Sequence, residues 1–333
     1  MRTAFVTGSS GFIGYFVSLA LLRSGWRVVG IDSLSNYYDP NLKLERQSQL
    51  CAYGEFSIVN EKIETPQALM SLFKEHRPEV VIHLAAQAGV RHSIDVPRAY
   101  LDANIIGTFE LLEAARAFPP AHMLMASSSS IFGANSEMPY KEADKVDTQM
   151  SFYAATKKAT ENMAHSYAHL YQLPTTMFRF FTVYGPWGRP DMAYFKFTKA
   201  ILNGDPIDVY NHGKMQRDFT YVDDLVRAII ALIDAVPDPH NPVTNDSVSP
   251  VAPFRTVNIG NAAPVSLMDF IAATEAACGL EAFKTFHPIQ PGDVPATWAD
   301  TTLLQTLIGK QHSTPVSEGL QHFVDWYRAF YNV

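Results

Sequence analysis

The strongest constraint on this chain lies at its start. Thr7-Gly8-Ser9-Ser10-Gly11-Phe12-Ile13-Gly14 follows an apolar stretch, residues 4–7, and runs directly into a helical stretch, residues 13–24. A GxxGxxG turn between a strand and a helix has a narrow use. Gly8 permits the tight turn, Gly11 lets the backbone approach a pyrophosphate, and Gly14 allows close packing of helix on strand. The helix N-terminus then offers unpaired N–H groups and a partial positive charge to the phosphates. A second strand, 27–32, ends on Asp32, at the spacing where a carboxylate accepts bonds from the adenosine ribose and repels a 2′-phosphate. Turn and carboxylate together predict an NAD site rather than an NADP site.

The same alternation continues. Strands over 56–59, 80–84, 123–126 and 175–180 are separated by helices near 66–75, 97–117 and 151–171. β-branched strands alternating with helices predict an α/β fold, a Rossmann-like doubly wound parallel sheet followed by a smaller C-terminal α/β substrate domain. We expect 1–181 to form the NAD-binding domain, with 218–260 returning to it, and 182–217 with 261–333 to form the substrate domain. Helices are expected over 192–203, 224–235, 267–277 and 318–330. Residues 236–254, with five prolines, read as an exposed loop.

Composition narrows the function. A net charge of −7 over 333 residues argues against a nucleic-acid partner. No apolar run is long enough to span a bilayer, and Gly8 arrives too early for a signal peptide. Cys51 and Cys278 form no CxxC pair and lie near no histidine cluster, so neither a disulfide framework nor a bound metal is expected, and a cytoplasmic location fits.

Tyr153 and Lys157, four apart in a helical stretch, share a face. An ammonium beside a phenol lowers the phenol's pKa and makes it a usable base. Tyr210 and Lys214 have the same spacing but enclose Asn211-His212-Gly213, a turn sequence that does not hold two side chains on one helical face. Ser127-Ser128-Ser129-Ser130 follows the strand ending at Ala126, where a hydroxyl can reach a substrate oxygen and the tyrosine. Small residues after His83, in Leu84-Ala85-Ala86-Gln87, leave room for a dinucleotide at a strand end.

TGxxGFIG, the run from His83 to Arg91, the serine run and YxxxK, in this order, resemble an extended short-chain dehydrogenase/reductase. The stretches 181–193, 213–221 and 290–296 narrow the resemblance to the UDP-glucuronate 4-epimerases. That family implies a homodimer, with candidate contacts on the helices near 97–117 and 151–171, and a tightly held NAD that is reduced and reoxidised within one cycle. A UDP-sugar is oxidised at C4, turns over as the 4-keto sugar and is reduced on its other face, converting UDP-glucuronate to UDP-galacturonate. By the same resemblance Tyr153, Lys157 and Ser128 are catalytic. Gly8, Gly11, Phe12, Ile13, Gly14, Asp32, Asn36, Leu84, Ala85, Ala86, Gln87 and Asn104 contact the cofactor, with Asn104 and Lys157 at the nicotinamide ribose. Arg91, Ser129, Thr182, Arg217 and Asp293 contact the substrate, and Arg189 faces the sugar carboxylate. One position departs: relatives commonly end the strand near 56–63 with an Asp that bonds adenine, and alignment back from Leu72-Phe73 puts Lys62 there.

Other chemistries share the scaffold. Dehydration needs an acid and a base beside the catalytic hydroxyl, and Ser129-Ser130 supplies no carboxylate. Decarboxylation stays open, because C4 oxidation of a glucuronate creates a β-keto acid. Against a UDP-glucose 4-epimerase stand Thr182 and Gln290, where such enzymes usually have Asn and Arg. An NAD-sensing regulator would not need the intact Tyr153, Lys157 and serine run.

Overall fold

A computed structural model describes residues 1–290 and 293–333. Six strands come first: β1 (Thr3–Thr7), β2 (Arg27–Asp32), β3 (Phe56–Asn60), β4 (Val80–His83), β5 (His122–Ala126) and β6 (Thr175–Phe180). Between them lie α1 (Phe12–Arg23), α2 (Pro40–Cys51), α3 (Ala68–His76), the single turns α4 (His92–Asp95) and α5 (Pro97–Tyr100), α6 (Gly107–Ala117) and α7 (Phe152–Tyr171). The chain then leaves this sheet for β7 (Thr182–Tyr184), α8 (Ala193–Asn203), β8 (Ile207–Val209) and β9 (Gln216–Tyr221). It returns through α9 (Val222–Leu232) to β10 (Phe254–Ile259), and ends with β11 (Pro264–Ser266), α10 (Leu267–Cys278), β12 (Lys284–Phe286), β13 (Ala296–Thr297), α11 (Thr302–Ile308) and α12 (Val316–Tyr331).

The main sheet has the order β10-β6-β5-β4-β1-β2-β3, and its pairings are parallel. Both faces are covered, which explains the unbroken apolar strands. Ala4 and Val6 pack on one side with α1 and α9, while Phe5 packs on the other with α3, α6 and α7. The strand order reverses between β1 and β4, so a crevice opens at the carboxyl ends of those two strands, the place where open α/β sheets receive ligands. The smaller body centres on β9, paired with β7, β11 and β13, beside the two-stranded β8–β12 ladder. Its core is aromatic: Phe219 stacks on Phe270 at 3.9 Å, and Tyr184, Tyr194, Phe195 and Phe323 surround them.

Of the expected loop 236–254, Phe254 instead opens β10; residues 236–253 form no helix or strand, but they are not merely a surface excursion. Asp246 holds Arg255 of β10 through two bonds, 2.7 and 2.8 Å, with both side chains buried. No helix among the described residues is long and apolar enough to cross a membrane.

Candidate active site

The crevice is the mouth of a cleft of about 950 Å³. Its cofactor end is built largely from backbone. Gly8 adopts φ +70, and a Cβ there would press on the Ala85 amide at 2.8 Å. A Cβ on Gly11 would meet the Gly8 carbonyl at 3.0 Å, and one on Gly14 would overlap that carbonyl. Thr7 Oγ1 accepts from the Leu84 and Ala85 amides, both at 3.1 Å, and pairs with His83 Nδ1 at 2.8 Å. This locks the ends of β1 and β4 together. Burial lowers the His83 pKa to about 3, so the imidazole is a neutral strut. Asp32, buried at the end of β2, accepts from the Ser10 amide at 3.0 Å and the Leu34 amide at 2.9 Å. A carboxylate has about four lone-pair sites, so two remain for ribose hydroxyls. Glycines that cannot carry a side chain and a half-used buried carboxylate fit a dinucleotide.

At the far end of the same cleft lie Ser128, Tyr153 and Lys157. Ser151, two residues before Tyr153, caps α7 by accepting from the Ala154 amide at 3.1 Å. The phenol does not have the lowered pKa expected from its lysine. Burial raises it, and the groups that pull it down are the Ser128 hydroxyl, by a hydrogen bond, and the Arg189 guanidinium. Lys157 is itself desolvated, its pKa lowered by burial to about 8 although Glu161 opposes the drop, so its charge is less secure than the spacing alone implied.

The structure separates the four serines. Ser127 donates to Glu161 at 2.7 Å, and Glu161 is gripped by Arg179 through bonds of 3.0 and 3.1 Å. Ser129 and Ser130 enter a short 3-10 turn that Ser128 caps. Ser128 lines the cleft with Tyr153 and lowers its pKa.

Gly8, Gly11, Phe12, Ile13, Gly14, Asp32, Asn36, Leu84, Ala85, Ala86, Gln87, Ser128, Tyr153, Lys157 and Arg189 line the cleft together. Asn104 does not. A π-helical turn, Leu101–Ile106, aims its carboxamide away, at the Gln87 amide (2.8 Å), the Gln87 carbonyl (3.1 Å) and Thr156 Oγ1 (3.0 Å). These bonds fix Gln87, which does line the cleft. Ser129 and Thr182 also lie off the cleft wall. Arg91, Arg217 and Asp293 form a separate group: Arg91 pairs with Asp293 at 2.8 Å, and Arg217 donates to the carbonyls of Val294 (2.7 Å) and Pro295 (3.2 Å). Pro291 and Gly292 of the same motif lie outside the described residues. Lys62 does line the cleft, on an exposed side chain 3.9 Å from Glu64.

Sequence reasoning missed three participants. Tyr37 and Lys43 line the cleft on the segment after Asp32, and Asp191 binds Arg189. Asp191 stood in a quoted motif without a role. The helix bearing Lys43 had a signal that went unused, Asp39 as N-cap and Pro40 in the first turn.

Fold and cleft define a dinucleotide-dependent enzyme with a Tyr–Lys helix. The chain belongs to the NAD-dependent epimerase/dehydratase family, which matches residues 4–245. It is 51% identical over 326 residues to a probable UDP-glucuronate 4-epimerase of Rhizobium meliloti, covering 97% of this chain and 96% of that protein. The structure resembles UDP-glucuronic acid 4-epimerase from Bacillus cereus in complex with UDP-glucuronic acid and NAD, with a TM-score of 0.89, 32% identity and coverage of 99% and 100%. It also resembles a UDP-glucose 4-epimerase of Thermotoga maritima with UDP-glucose, at a TM-score of 0.86 and 26% identity, covering 99% and 100%.

Proposed function

We propose that this enzyme interconverts UDP-glucuronate and UDP-galacturonate at C4 through a transient 4-keto sugar. One observation carries the reading: the Arg189 guanidinium lies on the same cleft wall as Ser128, Tyr153 and Lys157, close enough to act on the phenol. An arginine fork suits a uronate carboxylate, and the sequence relative at 51% identity supports that substrate.

Bound NAD supplies a reversible acceptor for the C4 hydride. Tyr153 takes the 4-hydroxyl proton and returns it, and Ser128 holds the same oxygen. Lys157 stabilises the phenolate, most strongly below its own pKa of about 8. Asp32 receives the adenosine ribose, and Gly8 to Gly14 with their helix N-terminus receive the phosphates. Arg91, Arg217 and Asp293 are assigned to the diphosphate and uridine, while Ser129 and Thr182 act from behind the wall.

We divide the chain into a cofactor body, 1–181 with the return to the main sheet, and a sugar-nucleotide body. The return is drawn at Val222 rather than 218, because β9 is the centre of the small sheet. We assign the active form as a homodimer through α6 and α7, on which Ile106, Phe109, Phe152 and Leu170 leave apolar surface exposed beside and along the helices. Cytoplasmic residence suits two free cysteines, one of them exposed.

Proton NMR of UDP-glucuronate incubated with the purified protein tests the reaction. UDP-galacturonate is the expected product. A UDP-pentose as the main product would make the enzyme a decarboxylase, and turnover of UDP-glucose alone would reassign it to neutral hexoses.

A further inference from the structure

The Arg189 guanidinium already has a partner. Asp191, on the same loop, binds its Nε at 3.0 Å and its Nη2 at 2.6 Å. Tyr37, arriving from the segment after β2, donates its hydroxyl to the same carboxylate at 3.2 Å. Nη1 makes no hydrogen bond to any described side chain or backbone group. The two charged side chains are 24% and 26% exposed, so water screens the pair only in part. The loop itself is anchored by Arg46, wholly buried on α2, which donates to the carbonyls of Trp187 and Gly188 and also to Ser10 in the glycine turn. Backbone and counter-ion of Arg189 are thus both fixed.

We propose that Asp191 is a positioning residue, a standing counter-ion that keeps Arg189 paired whenever the sugar carboxylate swings away. The idea rests on the epimerase reading above. Returning hydride to the opposite face of C4 requires the 4-keto sugar to turn within the cleft, so a carboxylate held by Arg189 must let go. A lone, partly desolvated guanidinium would resist that release, because the charge left behind would have no partner. With Asp191 on the Nε edge, the sugar carboxylate meets the Nη1 edge, and its departure uncovers no unpaired cation. Asp191 therefore weakens ground-state binding and speeds turning. This is the behaviour expected where tight binding of the starting complex would slow the step that follows.

The test separates affinity from turnover. Conversion of UDP-glucuronate by the parent holoenzyme is scored first, and its failure removes the epimerase reading and the proposal with it. Affinity is then measured by calorimetry on the holoenzyme in a Tyr153→Phe background, where turnover is blocked. Asp191→Asn should tighten UDP-glucuronate by about tenfold, leave UDP binding unchanged, and lower kcat in the chain that retains Tyr153 by about tenfold. A merely structural aspartate would weaken UDP-glucuronate and UDP alike. Unchanged or weaker UDP-glucuronate binding in Asp191→Asn, with the parent active, overturns the proposal. If the Asn variant does not accumulate as folded protein, Tyr37→Phe decides. Without the phenol's donation Asp191 grips Arg189 harder, so UDP-glucuronate should bind about threefold more weakly with UDP unaffected, and tighter or equal binding overturns the idea.

Discussion

The two ends of the cleft are made in different ways. At the cofactor end, the surface is backbone and small side chains set by strand ends: Gly8, Gly11 and Gly14 touch one another or Ala85, and Asp32 is oriented by the Ser10 and Leu34 amides. At the sugar end, the surface is charged side chains, each held by another group: Arg189 by Asp191, Arg91 by Asp293, and Arg217 of β9 by three carbonyls. The first end is fixed by sterics that side-chain motion cannot relieve. The second is fixed by charge pairings and hydrogen bonds that leave donor edges free for a ligand. An enzyme that keeps its cofactor while its sugar turns has reason to differ in this way.

The sharpest way to break the comparison is at Gly14. A Cβ there falls on the Gly8 carbonyl, and the neighbouring atoms are backbone, so α1 must move off β1. Gly14→Ala should cost at least the ~3 kcal/mol at the upper end for overpacked sites and weaken NAD binding. A variant that keeps both its NAD and its melting temperature would show that the cofactor end is as yielding as the sugar end.

Lys157 gives a smaller effect of opposite sign. A drop from 10.5 to about 8 means the folded protein carries the protonated amine at a cost of about 3 kcal/mol at pH 7. Between pH 8 and 10.5 the unfolded chain holds more protons on this residue than the folded chain. The penalty is therefore complete below about pH 8 and is relieved as pH rises through that window. Lys157→Met should abolish turnover yet gain on the order of 2 kcal/mol in denaturant unfolding at pH 7, with the advantage shrinking toward pH 10. A Met variant less stable than the parent at pH 7 would mean that Lys157 is held by attraction rather than merely tolerated.

How much of this was legible in the sequence follows the same division. The glycine turn, Asp32, the strand β6 and the helix α7 were readable because each is a local signal: a spacing, a β-branched run, a Tyr–Lys pair on one face. The helix α2 was not, since two of its four buried residues are Lys43 and Arg46, which hide the apolar period. The strand β10 was hidden for a related reason: Arg255 and Asn258 are buried in it, made tolerable by Asp246 and by the carbonyls of Tyr140 and Asp300. For Asn104 the resemblance gives a neighbourhood and not the direction of the carboxamide, which bonds Gln87 and Thr156. The lowered phenol pKa failed because spacing predicts proximity to a charge but not the desolvation that weakens the charge itself. Lys62 reaches the cleft wall together with Glu61 and Glu64.

The smallest expected effect sharpens the sugar end. Arg91 and Asp293 lie 202 positions apart in sequence, and their side chains are 51% and 22% exposed. A pair so open to water contributes little to folding, about 0–1 kcal/mol, and less as salt rises. Arg91 also lies 5.3 Å from the Tyr210 ring, so the side chain keeps a second neighbour if the carboxylate is lost. Asp293→Asn should therefore leave the melting temperature within a degree or two of the parent. It should also free the Arg91 guanidinium, and with it a positive charge beside Arg217, whose own pKa is lowered by burial and supported by Asp293. If that group receives the diphosphate, Asp293→Asn tightens UDP at low ionic strength, and the gain fades in salt. If instead Asp293 contacts the uridine directly, UDP weakens at every ionic strength. Titration of UDP at two salt concentrations distinguishes the two, and a large loss of stability in place of either would show that this end, too, is fixed by its fold rather than by exchangeable charge.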